Sequence, residues 1–262
     1  MRQVDNQLVK FDRMLNLNKY KSPDKLKSDI ESFYVLTNNS SLNVPTESYK
    51  NHPQGTIDIM FALQGGISFN TGSSGIRQLN KIFIIAQQEA MFNVSFLPSS
   101  TIVGVVFYPE SFRKFFNFPL YELKNSGETM FDHLDVSYHE LYDRLGNAES
   151  DVKIFTLLEE FMLKQLEENR DFDQNFSQLM LHVRSLNGSL SVDDLANLSN
   201  TSIRTLQRKM KERMGISAKS YSNVIRFKHA ITLIRNHPEM DWQDILFVCG
   251  YYDQAHFTKE FR

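Results

Sequence analysis

This chain of 262 residues is predicted to be α+β in two domains, an N-terminal mostly-β half followed by an all-α half. Three observations predict it. Residues 55 to 108 alternate apolar and polar side chains at period two, the pattern of half-buried strands. From Pro109 onward the apolar spacing becomes helical, with helix start and stop signals. A polar stretch, NRDFDQN at 169 to 175, places the domain boundary.

In chain order, SPDKLKSDIESFYVL begins with a turn and leads into a strand. TIDIMFAL sets Ile57, Ile59, Phe61 and Leu63 on one face, FNVSF and VGVVF alternate similarly, and QGG and TGSSG supply turn chemistry between runs. PESFRKFF reads as a short helix. Residues 150 to 169 carry Ile154, Leu157, Leu158, Phe161 and Met162 on one stripe with Ser150 as N-cap. Such a stripe packs on its own domain more often than on a second subunit, so a homodimer through it is the secondary reading. Further helices are expected at 174 to 186, at 192 to 198 behind Ser191, from Ser202 to Gly215, from Ser217 to the NHP at 236 to 238, and at 241 to 249. Gly250 breaks the last of these before a closing helix.

Composition excludes several classes. A lone cysteine, Cys249, rules out an intramolecular disulfide and a Cys-rich zinc site, and with no basic neighbour in sequence it reads as a small buried hydrophobe. No apolar run approaches the roughly 18 residues of a membrane span, and the N-terminus lacks a signal-peptide core, so a cytoplasmic location and no membrane partner are expected. His52, His133 and His139 lack ligand spacing, so no metal is expected, nor any cofactor. GSSG at 72 to 75 lacks the form of a nucleophile loop and QGGIS that of a phosphate loop, so no catalytic residue is assigned and the chain is expected not to be an enzyme. The formal charge of −2 divides unevenly: residues 172 to 262 hold 12 basic and 9 acidic side chains.

The helical half contains a weak repeat, with copies offset by about 50 residues. Each copy opens on an acidic first turn and an apolar pair, Leu195 and Ala196 or Ile245 and Leu246, and its second helix has an anchor, Leu206 or Phe257, then Arg208 or Lys259 two places on. Paired helices whose second member is polar and basic on its free face follow the helix-turn-helix plan. The intervening helix of about 20 residues would span roughly 30 Å, near the roughly 34 Å between successive major grooves.

The segment LSVDDLANLSNTSIRTLQRKMKERMGISAKSYSNVIRFKHAITLI, followed by GYYDQAHFTKEFR, resembles the DNA-binding domain of the AraC/XylS family of bacterial transcription regulators. The likeness covers about a third of the chain, and the ordered run Gly250, Asp253, Gln254, His256, Phe257 and Phe261 is its most specific part. The N-terminal half more faintly resembles cupin-like sensor barrels with flanking helices. The resemblance implies a sensor-like domain at 1–136, a helical connector with a candidate dimerisation role at 137–171, and the DNA-binding domain at 172–262, cut short at its C-terminal end. It implies a sequence-specific regulator of double-stranded DNA, an activator by analogy, with RNA polymerase as partner and a small-molecule effector of unknown site.

Base-reading positions carried over are Arg204, Gln207 and Arg208 in the first reading helix and Gln254, Ala255, His256 and Lys259 in the second. Arg suits guanine, Gln suits adenine, and Ala offers only a methyl contact. Thr201, Ser202 and Thr258 are expected at phosphates. Leu246 departs from the family's small alanine, which puts the packing of the second pair in question. Two rival readings stand beside this one: a protein-interaction module that no longer binds DNA, and an enzyme fused to a DNA-targeting module, which the single cysteine disfavours.

Overall fold

The computed structural model describes residues 15–38, 45–72, 75–116, 118–168, 173–255 and 257. Eight strands form one antiparallel sheet: β1 (Leu15–Lys21), β2 (Ile30–Asn38), β3 (Tyr49–Asn51), β4 (Ile57–Asn70), β5 (Arg77–Ile85), β6 (Phe92–Phe96), β7 (Thr101–Phe107) and β8 (Gly127–Thr129). The main path runs β1-β2-β7-β4-β5-β8, with β6 pairing both β3 and the far end of β4. The sheet curls because β4 changes partner along its length, from β7 over Ile57–Gln64 to β6 over Ile67–Asn70.

That change corrects the sequence reading of QGG. Gln64, Gly65 and Gly66 do not separate two strands; they form an irregularity inside β4, where the register shifts between Ala62 and Ile67. Only glycine suits the spot. Gly65 has φ +68° and Gly66 φ +151°, and a Cβ on Gly66 would lie 2.3 Å from the Leu79 carbonyl oxygen. The Ser100 hydroxyl accepts from the Gly66 N–H at 3.1 Å, anchoring the bend. TGSSG joins the antiparallel pair β4 and β5, as a hairpin connection should; Ser73 and Ser74 lie outside the described residues.

Both faces of the sheet are buried. Tyr34, Leu36, Met60, Phe69, Phe83, Val94 and Phe96 fill its inner side, where Tyr34 covers the backbone of Gly104. The outer side, with Phe33, Ile59, Phe61, Ile84 and Val105, meets two helices, α1 (Val136–Gly146) and α2 (Asp151–Glu168). The α2 stripe of Ile154, Leu157, Leu158, Phe161 and Met162 is spent on this core, and Ser150 Oγ accepts from the Lys153 N–H at 3.3 Å at its start. Full burial of each such side chain is worth about 1.5–3 kcal/mol, so this face holds α1 and α2 to the sheet. PESFRKFF forms the expected short helix, of 3-10 type, over Pro109–Lys114. The buried ion pair of Lys114 with Asp29, at 2.5 Å, ties it to the turn before β2.

The helical half comprises α3 (Gln174–Ser185), α4 (Val192–Leu198), α5 (Ile203–Met214), α6 (Ala218–Asn236) and α7 (Trp242–Val248). The expected caps are in place: Ser191 in a reciprocal capping box with Asp194, Ser202 accepting from Thr205 N–H, Ser217 from Ser220 N–H, and Gly215 ending α5 at φ +77°. α3 to α5 and the first half of α6 share one core around Met180, Leu195, Leu206, Met210 and Tyr221. The far end of α6 and α7 share a second around Ala230, Ile245, Leu246 and Cys249. Leu246 is fully accommodated there. Burial pushes the Cys249 thiol up to about 11, as suits an inert packing residue.

The halves meet along α3, α5 and α6. Arg184 of α3 reaches Glu110 at 2.6 Å, Lys228 of α6 reaches Glu31 at 2.9 Å, and Gly55 sits under Ile225 and Tyr221, where a Cβ would come within 2.7 Å of Ile225 Cδ1. His52 lies edge-on to Phe227 at 5.6 Å; burial, then Arg235 and Lys228, push its pKa down to about 4, so it is neutral at pH 7.

Two outcomes follow from this geometry. Gly66→Ala should destabilise the chain by about 2–3 kcal/mol in chemical denaturation, because the new Cβ meets backbone that cannot yield. Burial and then Glu31 raise the Asp58 pKa from 3.8 to about 7. The folded chain thus holds a proton that the unfolded chain has released, and stability declines as pH rises across that interval. Asp58→Asn should therefore raise the melting temperature relative to the wild type at pH 8 and leave it unchanged below pH 4.

Candidate nucleic-acid interface

α5 has two faces with separate uses. Leu206, Met210 and Met214, four residues apart, are buried, which turns Arg204, Gln207 and Arg208 outward, all three exposed. Lys209 and Arg213 project sideways to Asp173, at 2.9 and 4.0 Å, and so belong to the scaffold. Asp173 also caps α3 by accepting from the Phe176 N–H at 3.0 Å. Burial works against its charge, but the bonds from Lys209 and Phe176 hold its pKa below the usual aspartate value. The structure thus brings the three predicted base-reading residues together on one solvent-facing surface. The sequence reading missed Lys211, exposed on the same surface. The spacing 204, 208, 211 is its signal.

The turn before α5 is set by backbone. Asn200 takes φ +50°, the Thr201 N–H donates to the Ala196 carbonyl at 3.0 Å, and Ser202 caps the helix through the Thr205 N–H at 3.2 Å. Thr201 hydroxyl lies 2.8 Å from that of Ser199. Two of the three expected phosphate residues, Thr201 and Ser202, therefore stand at the start of α5, where the helix dipole and the first-turn N–H groups favour an anion.

The second unit repeats this plan with one insertion. Tyr251 N–H donates to the Leu246 carbonyl at 2.9 Å, matching Thr201 and Ala196 at an offset of 50. Gly250, at φ +74°, stands where Asn200 does. The Phe257 N–H, however, donates to the Asp253 carbonyl as Leu206 does to Ser202, an offset of 51. The extra residue is Tyr252, 95% exposed in the turn. Gln254 and Ala255 are exposed at the start of the closing helix; His256, Thr258 and Lys259 lie outside the described residues. At this offset Ala255 corresponds to Arg204 and Lys259 to Arg208. The first unit therefore presents a guanidinium where the second presents a methyl.

α6 joins the units. Its 19 residues span about 28 Å at 1.5 Å per residue, close to the roughly 34 Å between major grooves on one side of a duplex. Phe257 stacks on Phe227 at 5.1 Å and meets Trp242 at 5.2 Å, which anchors this residue against α6 and α7. Neither Arg204, Gln207 and Arg208 nor Gln254 and Ala255 is covered by the sheet domain. Among the described residues no group of three or more His, Cys, Asp or Glu is placed to hold a metal ion, and no helix is long and apolar enough to cross a membrane. The Ser32 hydroxyl of β2 and the Gln87 amide beyond β5 are buried without a hydrogen-bond partner among the described residues. A surface hollow of about 400 Å³ lies between Leu63 of β4 and Tyr142, Asp143, Gly146 and Asn147 at the end of α1.

Residues 195–262 match the family described as a helix-turn-helix domain, and residues 18–128 match a domain of unknown function, DUF6597. The HTH-type transcriptional activator RhaS of Escherichia coli O1:K1 is 37% identical over 70 residues, 27% of this chain and 25% of that relative. The chain thus spans about a quarter of the length of the curated relatives it matches. Among solved structures, apo ToxT from Vibrio cholerae strain SCE256 aligns with TM-score 0.45 and 11% identity, covering 95% of this chain and 92% of its own. The AraC-like transcriptional activator CuxR aligns with TM-score 0.33 and 11% identity, covering 90% and 91%.

Ser202→Ala, which removes the cap of α5, should lower stability by about 1 kcal/mol in denaturant titrations.

Proposed function

We propose that the chain is a transcription regulator of the AraC/XylS type, a reading supported by the helix-turn-helix match over residues 195–262 and the 37% identity to RhaS over 70 residues, and that it binds double-stranded DNA sequence-specifically with two reading helices. The observation that carries this is the outward surface of α5. Its back is locked by Leu206, Met210 and Met214, its flanking bases are paired to Asp173, and Arg204, Gln207 and Arg208 are left facing solvent. Arg204 and Arg208 each suit the two acceptors of guanine, and Gln207 suits adenine. Thr201 and Ser202, with the N–H groups at the helix start, hold a phosphate and set register. Gln254, Ala255, His256 and Lys259 enter the next groove, with Thr258 at a phosphate.

Activation, contact with RNA polymerase, self-association, effector control through the sheet domain and a cytoplasmic location are proposals drawn from the family relationship. The division into 1–136, 137–171 and 172–262 is likewise a proposal, and the packing of α1 and α2 onto the sheet groups 136–168 with the N-terminal half. A second reading, a protein-interaction module, is favoured by one observation: Phe247 is 82% and Val248 58% exposed on α7.

The test is binding to a duplex recovered by in vitro selection with the full chain. The binding constant should fall with salt at a slope of about −0.9 per phosphate neutralised. Arg208→Ala should weaken the selected duplex by about 1–3 kcal/mol and random DNA far less. Equal losses on both duplexes remove Arg208 from the reading surface, and absence of duplex binding favours the interaction module.

A further inference from the structure

We infer that Arg184 is a positioning residue for DNA recognition: with Glu110 and Tyr221 it pins the first helix-turn-helix unit directly onto the sheet domain. The inference rests on the reading of α5 as a DNA-reading helix.

Arg184 is engaged on every side. Its guanidinium lies 2.6 Å from a Glu110 carboxylate oxygen, donates to the Tyr221 hydroxyl at 3.2 Å and stacks over the Tyr108 ring at 4.1 Å. Tyr108 and Glu110 belong to the sheet domain, in the segment leaving β7; Arg184 and Tyr221 belong to the helical domain, on α3 and α6. The Glu110 side chain is 1% exposed and that of Arg184 17%, so the pair is desolvated and each charge depends on the other. Burial raises the pKa of Glu110 against the pull of Arg184. For Arg184 burial acts downward, but Tyr221 and Glu110 more than offset it and hold the guanidinium above its ordinary range.

The segment bearing Glu110 is itself anchored. The Tyr108 N–H donates to the Asp29 carbonyl, and Asp29 pairs with buried Lys114. The grip therefore runs from the sheet through a fixed turn into α3. Around it, Leu120 packs under Gly215 at the end of α5, Gly55 under Tyr221, Val224 and Ile225, His52 against Phe227 and Glu31 on Lys228. On α6 these packing and ion-pair contacts run from Tyr221 to Lys228, and Arg235, further along, acts on His52 through its charge. α7 and the second core lie beyond, around Ala230, Ile245 and Leu246, attached through the far end of α6. The first reading helix is thus braced directly by the sheet domain, and the second meets it through Phe227, which lies against both His52 and Phe257. A signal that shifts the turn bearing Glu110 reaches Arg204, Gln207 and Arg208 first.

Pulsed EPR on the full chain tests this, with nitroxide labels on cysteines replacing exposed Lys50 and Lys219 in a Cys249→Ser background. Arg184→Met, which keeps length and removes charge, should broaden and lengthen the distance distribution. It should weaken binding to the selected duplex about tenfold, with the loss confined to base pairs contacted by Arg204 and Arg208. Arg184→Lys, which keeps charge but not planar stacking, should fall between Met and wild type. If Arg184→Met unfolds the chain, Glu110→Gln takes its place with the same expectation. A wild-type distance distribution in the folded charge-neutral variant overturns the inference, as does a loss spread equally over both half-sites. Should the wild-type chain bind no duplex, the proposed function fails, while the label distances still decide the pinning.

Discussion

Helix α6 is the constraint on which the rest of the molecule depends. Three separate bodies use one rod: Tyr221 and Ile225 complete the first helix-turn-helix core, Ala230 belongs to the second, and Ile225, Phe227 and Lys228 meet the sheet domain. A helix with apolar contacts on several sides cannot rotate to suit one partner without breaking contact with another. Its length therefore sets the separation of the two helix-turn-helix units, and its orientation sets which way they face relative to the sheet.

The two reading units are built alike but are not equivalent. Both use a positive-φ residue, Asn200 or Gly250, to turn the chain, and both send the next N–H back to a buried residue of the preceding helix. The inserted Tyr252 then shifts the second reading helix by one residue relative to its turn. The chemistry differs as well, since Arg204 has Ala255 as its counterpart.

Much of the helical half was legible because its determinants are local. Ser191, Ser202, Ser217 and Gly215 mark helix ends through bonds spanning three or four residues, and the four-residue spacing of Leu206, Met210 and Met214 declares the buried face of α5. The sheet was legible where alternation is clean, as at Ile57, Ile59 and Phe61, and not where it fails. β1 reads LNLNKYK, where the alternation of Leu15 and Leu17 lapses at Lys19 and only Leu15 is buried, so the apolar period is too short to mark it as a strand. QGG was misread because glycines that permit a turn equally permit an irregularity within a strand, and the choice is made by Leu79 and Ser100, distant in sequence. Arg184 with Glu110 was illegible for the same reason: nothing near either residue names its partner, and only the fold brings a buried carboxylate to a helix of the other domain. The offset of about 50 in the repeat was visible, whereas the step from 50 to 51 appeared only in hydrogen bonds.

Hydroxyl-radical footprinting of the full chain on its selected duplex tests the central claim most directly. Two reading helices fixed by one rod should protect two backbone stretches on the same side of the duplex, centred about 10 base pairs apart. A single protected stretch, or two on opposite sides, would contradict the account.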